Sequence, residues 1–312
     1  MKSLIYIVLP VYNWEKYLLQ QLMSIYFQDY ENWHLVIVND WSTDSTKSII
    51  DKFLSDYDLE GKVTVVSQPN KWLNKSIENW LLEVKKIITS SWINNAYITY
   101  CDADDLMMTN RLSYQVNYME THKDCDLSYH DLVLIDENNS IINTSFLKMI
   151  DKKNILINIK NDSFCEFCMA NHIPATTIMF RSENIDLLIP FPKAFPFQDR
   201  WTSLIFSSNN LNIKNMHIPL WSYRRYSNQM SDMSKKKVDL AKRFGDFKEA
   251  LQEVAKRTEH KERSSEAMEY VNYYDDRIKR IKNCNNKIIQ LIKVMVFHPK
   301  IIIRKVFHIK NF

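Results

Sequence analysis

Short apolar runs alternate with amphipathic stretches through the first hundred residues. Leu4 to Leu9 is one such run, ended by Pro10, and reads as a buried strand. Leu18, Leu22 and Ile25 recur at spacings of four and three, which predicts a helix over Glu15 to Gln28 with an acid in its first turn. The alternation continues with a strand at His34 to Val38, a helix at Thr43 to Leu54, a strand at Val63 to Val66, a helix at Lys75 to Ile88 and a strand at Ala96 to Tyr100. Strands interleaved with helices call for an α/β fold, a mostly parallel sheet flanked by helices. Ligands in such folds sit at the carboxyl ends of the strands. Tyr12 and Asn13 follow the first strand, Asn39 and Asp40 the second, and Asp102 to Asp105 the fourth. Three loops are therefore expected to meet at one crevice.

From about Arg111 the pattern loosens. Leu127 to Ile135, Ile141 to Thr144 and Thr176 to Phe180 read as strands, and Trp201 to Phe206 as a helix. Past Tyr226 the chain turns helical, with Leu240, Phe244, Phe247, Leu251 and Val254 in a 4-3-4-3 spacing. This divides the chain into residues 1–110, which hold the three polar loops, 111–232, which complete the sheet and the cleft, and a helical, basic extension at 233–312.

Composition adds bounds. A chain of 312 residues, 46% hydrophobic, can bury a large core. Its formal charge of +4 is uneven: Arg277 to Phe312 carries ten Lys or Arg and no acid. The aromatic and basic interleaving of a single-strand platform does not accompany that tail, so nucleic acid is not the expected partner. No run of about 20 apolar residues is present and the N-terminal apolar stretch is too short for a signal segment, so a cytoplasmic location is expected. Five cysteines without framework spacing read as reduced thiols, and the Cys165/Cys168 pair lacks the second pair that zinc would need.

The residues that carry chemistry begin with Asp102-Ala103-Asp104 at the end of an apolar strand. Side chains two apart share a face of extended backbone, and paired carboxylates suit a hard divalent cation, Mg²⁺ or Mn²⁺, shared with substrate phosphates. Alone the pattern is weak. LPVYNWEKYL, VNDWSTDST and YITYCDADDLMMTNRL, followed by FQDRWTSLIF and IPLWSYRRYSNQMSD, resemble in order and spacing the family-2 glycosyltransferases of the GT-A (Rossmann-like) fold, in particular bacterial rhamnosyltransferase-like enzymes of polysaccharide synthesis. The resemblance covers Leu4 to Asp232.

It implies an inverting, metal-dependent transfer of a sugar from a nucleoside diphosphate, of UDP or dTDP type, to a saccharide acceptor. Asp40 would accept a hydrogen bond from the base, with Pro10, Tyr12 and Asn13 lining the base and ribose pocket. For Tyr12 the other reading is a core aromatic with its hydroxyl at the surface. Asp102 would lie nearest the ribose and share the metal with Asp104, while Asp105 would serve as a helix cap or support. Asp199 is the expected general base, the other reading being a cap on the Trp201 helix. One of Arg224 and Arg225 would reach the diphosphate, and the other would be a surface charge. HIPATT, His172 to Thr177, falls where relatives approach the acceptor with a glycine-containing loop, whose place Ala175 takes here.

Two other classes compete. A phosphotransferase resembling the haloacid dehalogenases would use Asp102 as nucleophile, but Asp105 and the late position of the motif argue against it. A non-catalytic, membrane-associated scaffold would not need the complete acid set. The tail IIQLIKVMVFHPKIIIRKVFHIKNF pairs branched apolar residues with cations, and reads either as a segment lying on an anionic membrane or as a helix packed on the catalytic domain. The first reading fits a lipid-linked acceptor and a peripheral position on the inner face of the plasma membrane.

Glycine is scarce: two in 312 residues against an ordinary share of about 7%. Trp14, Trp41, Trp72, Trp80 and Trp92 stand where the family pattern carries or neighbours glycine. The coincidence points to UGA codons that the source organism reads as glycine and that are written here as tryptophan, the other reading being a divergent protein in which these rings stack on the donor base or fill a core. On that reading most of the five rings are expected in loops or at helix ends, exposed and not packed together.

Overall fold

The computed structural model describes residues 2–68, 73–91, 95–152, 164–169, 171–192, 197–226 and 240–282. Trp72, Trp92 and the basic tail past residue 282 lie outside them. Strands β1 (Leu4–Val11), β2 (Trp33–Asn39), β3 (Val63–Ser67) and β4 (Ala96–Tyr100) alternate with helices α1 (Leu18–Tyr26), α2 (Thr46–Asp56) and α3 (Leu73–Ser91). Every one of these elements was expected, with ends shifted by a few residues. Helix α1 starts only at Leu18, because residues 14–17 form a turn in which the Leu18 N–H bonds the Trp14 carbonyl at 3.0 Å.

The second half adds β5 (Leu106–Met107), α4 (Arg111–Thr121), β6 (Leu127–Ile135), β7 (Ile141–Asn143), α5 (Phe146–Lys152), α6 (Phe164–Met169), β8 (Met179–Arg181), α7 (Ile185–Leu188), α8 (Gln198–Ser208) and β9 (Ile213–Arg224). A hairpin of α9 (Leu240–Arg257) and α10 (Lys261–Lys282) follows. The strand expected over Thr176 to Phe180 begins only at Met179. Before it, Ala175–Thr177 coil into a 3-10 turn tied by the Thr177 hydroxyl to the Pro174 carbonyl at 2.7 Å.

Among the described residues the strands form one sheet in the order β3-β2-β1-β4-β8-β6-β9-β5, with β7 paired to β6. The pairs β2–β3, β1–β2 and β1–β4 are parallel, β8 runs antiparallel to β4 and β6, and β9 is parallel to β6. Strand β1 lies inside the sheet, and its side chains alternate between two cores. Tyr6 and Val8 join Val36, Val84, Ile98 and the side chains of α8, α9 and α10 on one face. Ile5, Ile7 and Leu9 join Leu22, Ile25, Ile37, Phe53 and Leu112 on the other. From Phe244 onward the 4-3-4-3 stripe of α9 therefore packs into the first core beside Trp201 and Leu204, with Phe247, Leu251 and Val254 buried. Among the described residues no helix is long and apolar enough to cross a membrane.

Candidate active site

The ends of β1, β2, β3 and β4 carry one stitched set of loops. Asn13 sits at φ +58°, a left-handed conformation that asparagine tolerates, and its side-chain oxygen accepts the Thr43 N–H at 2.8 Å. Asn39 turns its own oxygen to the Ser42 N–H at 3.0 Å, and Asp44 accepts from the Glu15 N–H at 3.1 Å and the Thr46 N–H at 3.0 Å. Most polar residues of VNDWSTDST thus build the loop. Asp40 is different: it is buried, its N–H donates to the Val11 carbonyl at 3.0 Å, and its Oδ1 accepts from the Gln68 side chain at the end of β3. Beside it Tyr12 is exposed, which sets aside the reading of a core aromatic, and Pro10 is partly exposed.

Trp41 occupies this loop at φ +53° with its ring 60% exposed, the geometry expected of a glycine place. Trp14 lies in the turn before α1, partly buried against the second core. Trp80 departs from the expectation: it sits inside α3, 3% exposed, in the first core. Its indole N–H finds no acceptor among the described residues. The buried Trp201 and Trp221 both satisfy theirs, on the Leu188 carbonyl at 3.0 Å and on Asp105 at 2.8 Å. Trp14 and Trp80 belong to opposite cores, so among the described residues these tryptophans form no common cluster.

After β4 the backbone does not stay extended. Ala103 and Asp104 form a turn, which corrects the reading of two carboxylates on one extended face. The acids remain close in charge. Burial, then the charges of Asp104 and Asp199, push the Asp102 carboxyl up to about 7. This surplus of negative charge in a crowded site fits a divalent cation. Among the described residues no three His, Cys, Asp or Glu are arranged to hold a metal by themselves, so Asp102 and Asp104 would need further oxygens from ligand or water.

Strand β9 clasps the acid turn from its far side. Asp105, fully buried, accepts from the Trp221 indole and from the Arg224 N–H, both at 2.8 Å, and so supports the turn. Arg224 is also fully buried: its Nε donates to the Asp104 carbonyl at 2.7 Å, and its other nitrogens to Asn139 at 2.6 Å and Gln20 at 3.1 Å. That placement binds Arg224 to the protein itself, against its reading as a diphosphate contact or a surface charge, whereas Arg225 is exposed. Tyr226 sends its hydroxyl to Asp104 Oδ2 at 2.8 Å. Nothing in the motif reading singled out Tyr226 or Gln68.

Arg111 is fully buried, stacks against the Trp221 ring, and donates to His130 Nε2 at 3.2 Å and to the Thr176 carbonyl at 3.1 Å. Burial pushes its guanidinium down to about 10. It ties Thr99 of β4 and His130 of β6 to HIPATT, where His172, Ala175, Thr176 and Thr177 are all buried.

Asp199 comes from the opposite half, on the first turn of α8. Phe197 holds the N-cap position, so Asp199 is not the cap. Burial pushes its carboxyl up to about 6, opposed by the Arg200 N–H at 2.7 Å, the Arg200 charge and a hydrogen bond from Asn171. Asp199 and Asp102 are 97 positions apart in the chain, and their elements meet where the Tyr100 hydroxyl of β4 bonds Thr202 Oγ1 of α8 at 3.1 Å.

A fold with these acids at the strand ends has relatives among known proteins. The model of glycosyl transferase family 2 matches residues 6–182. The chain belongs to that family. This family-2 chain is 30% identical over 131 residues to EpsE of Bacillus subtilis, an alignment that covers 42% of the chain and 44% of EpsE. The aligned part thus spans less than half of that relative. In structure it is similar to TarS of S. aureus in complex with UDP, at a TM-score of 0.57 and 15% identity over 89% of this chain and 71% of that one. It is likewise similar to the mannosyltransferase PcManGT of Pyrobaculum calidifontis in complex with GDP-Man and Mn²⁺, at 0.54 and 14% over 86% and 69%. The fold of this family-2 member is therefore GT-A, with a helical part at its C-terminal end. Family membership sets aside the phosphotransferase alternative.

Proposed function

We propose that the chain transfers a sugar from a nucleoside-diphosphate donor to a saccharide hydroxyl with inversion, using Asp199 as general base. The observation that carries the reading is that α8, which presents Asp199, meets the end of β4 just before Asp102, where the Tyr100 hydroxyl bonds Thr202 Oγ1 at 3.1 Å. Pro10, Tyr12, Asn13 and Asp40 line the base and ribose side, and Asp102 lies toward the ribose. Asp102 and Asp104 hold a divalent cation, and Arg225 meets the diphosphate. When bound, Mg²⁺ or Mn²⁺ supplies charge stabilisation to the departing diphosphate. Asp199 takes the proton of the acceptor hydroxyl as its oxygen attacks the anomeric carbon, and a carboxyl raised to about 6 is matched to that task near neutral pH. TarS bound to UDP and PcManGT bound to GDP-Man with Mn²⁺ support a nucleotide-sugar donor and a metal.

The acceptor class rests on sequence resemblance and on the basic, apolar tail. We read it as a lipid-linked saccharide in cell-surface polysaccharide synthesis, with the enzyme peripheral on the inner membrane face. A screen of nucleotide sugars for transfer or hydrolysis tests the activity. Asp104→Ala is expected to abolish metal-dependent donor binding in calorimetry. Asp199→Asn is expected to keep that binding and lose transfer, and full transfer by this variant would defeat the base assignment.

A further inference from the structure

Tyr100 closes β4 with a hydroxyl set in an apolar core. Its ring packs on Phe180, with centroids 5.9 Å apart, in the core that also holds Trp201, Leu204 and Phe206. A buried phenol costs stability unless its hydroxyl is bonded, so phenylalanine would be the simpler occupant of such a place. Here the hydroxyl meets Thr202 Oγ1, fully buried on α8, at 3.1 Å. Chemistry fixes the direction of that bond. Thr202 has one hydroxyl hydrogen, and it goes to the Gln198 carbonyl at 2.7 Å, so Tyr100 must be the donor. Two directed hydrogen bonds therefore run from the last residue of β4 into the first turn of α8. Asp102 stands two residues beyond Tyr100, and Asp199 follows Gln198.

Resting on the base reading above, we propose that Tyr100 and Thr202 are positioning residues that set Asp199 against the donor. The transfer needs two parts held in register: the strand end with Asp102, on the donor side, and the helix turn with Asp199, which takes the acceptor proton. A misplacement of about 1 Å between reacting groups costs about a hundredfold in rate. Apolar packing is non-directional and does not fix such a spacing by itself. A hydrogen bond sets both a length and an angle, and this one holds the turn that carries the base. Other bonds of that turn stay within or beside α8: the Ser203 hydroxyl meets the Asp199 carbonyl at 2.9 Å, and the Trp201 N–H meets the Phe197 carbonyl at 2.9 Å. They shape the turn, whereas the Tyr100 hydroxyl ties it to β4 across more than a hundred residues of sequence. In this role Tyr100 and Thr202 act through Asp199 and touch neither substrate.

The test measures, on the full chain, turnover of the nucleotide sugar that the screen above identifies, and calorimetric binding of the nucleoside diphosphate it releases, with Mn²⁺. Tyr100→Phe keeps the ring and removes only the hydroxyl. It is expected to lower kcat about 10- to 100-fold while diphosphate affinity and the pH at which kcat/KM levels off stay unchanged. Its melting midpoint should lie within about 4 °C of the unaltered chain. A general loosening of the fold would instead weaken binding and turnover together. Thr202→Val should lower kcat likewise, Thr202→Ser should restore it, and the double variant Tyr100→Phe/Thr202→Val should lose no more than Thr202→Val alone. An unchanged kcat in Tyr100→Phe overturns the inference, as does a double loss equal to the product of the single ones, or a diphosphate affinity that falls along with kcat. Where thermal melting shows that Thr202→Val does not fold, Tyr100→Phe decides by itself. An unaltered chain that turns over no nucleotide sugar defeats the functional reading and this inference with it, an outcome separate from an active chain that is indifferent to the Tyr100 hydroxyl.

Discussion

Trp41 holds a backbone conformation that its own side chain opposes. At φ +53° the Cβ crowds the backbone at a cost of roughly 1–2 kcal/mol, and the exposed ring recovers little by packing. Glycine would relieve that cost while giving back roughly 0.5–1 kcal/mol of chain entropy. Trp41→Gly is thus expected to stabilise the fold by about 1 kcal/mol, read as a higher urea midpoint at unchanged slope. A lower midpoint would mean that the indole makes contacts worth keeping. Trp80 argues the other way, since it fills a core position inside a helix. Peptide mass spectrometry on the protein from its own source, covering both positions, decides whether they are glycine there. Asp199 carries a second expectation at this scale. A base must be ionised, and its ionised fraction falls about tenfold per pH unit below its pKa. With a carboxyl at about 6, kcat/KM should rise with pH up to that value and level off above it. A profile flat down to pH 5 would remove Asp199 as the base.

The clasp by β9 is an element-scale device that no motif spells out. Trp221, Arg224 and Tyr226 each reach a different atom of Asp104 or Asp105 across more than a hundred residues of sequence. Acids after a strand are legible because strand ends in parallel sheets face the crevice, and Asp102 and Asp104 are read that way, whereas Asp199, in the first turn of α8, is read only from the resemblance of FQDR. The partners of those acids were not legible, because side-chain pairing follows strand order, and β5 lying against β9 is a long-range outcome. Arg224 shows the limit: the double-arginine pattern marks importance, while burial decides that it supports the acid turn. Helix α4 was missed for a related reason. Its apolar Leu112, Val116 and Met119 keep helical spacing, but the acid motif just before them draws the reading to the loop. Lysine cannot reproduce the fork of Arg224, whose nitrogens meet Asp104, Asn139 and Gln20. Arg224→Lys should therefore cost on the order of 3 kcal/mol in chemical denaturation and weaken Mn²⁺-dependent nucleotide binding. A variant of unchanged stability and affinity would show the clasp to be incidental.

At the scale of the molecule, the question is whether the C-terminal hairpin is an appendage or part of the enzyme's body. Helical spacing alone reads α9 as an extension after residue 232, but contacts show shared structure. Phe247, Ala250, Leu251 and Val254 from α9, with Ala267, Val271 and Tyr274 from α10, lie in the same core as Tyr100, Trp201 and Phe206. The Arg200 guanidinium, next in sequence to the proposed base, stacks on the Phe247 ring at 3.4 Å, and the Tyr274 hydroxyl bonds the Cys168 carbonyl at 2.9 Å. The hairpin thus braces α8, the helix that presents Asp199, and α6 beside it. Fully burying a large apolar side chain contributes about 1.5–3 kcal/mol, so losing the five large ones of this set is comparable with the roughly 5–15 kcal/mol by which a domain is stable. A chain ended after residue 232 is expected to lose cooperative unfolding, measured by circular dichroism and calorimetry. One ended after residue 284 should unfold like the whole chain, and should lose only the salt-sensitive attachment to anionic vesicles that the basic tail is proposed to give. If the shorter chain still melted cooperatively and bound UDP with Mn²⁺, α9 and α10 would be an appendage, and the bracing of Asp199 through Arg200 would have no energetic basis.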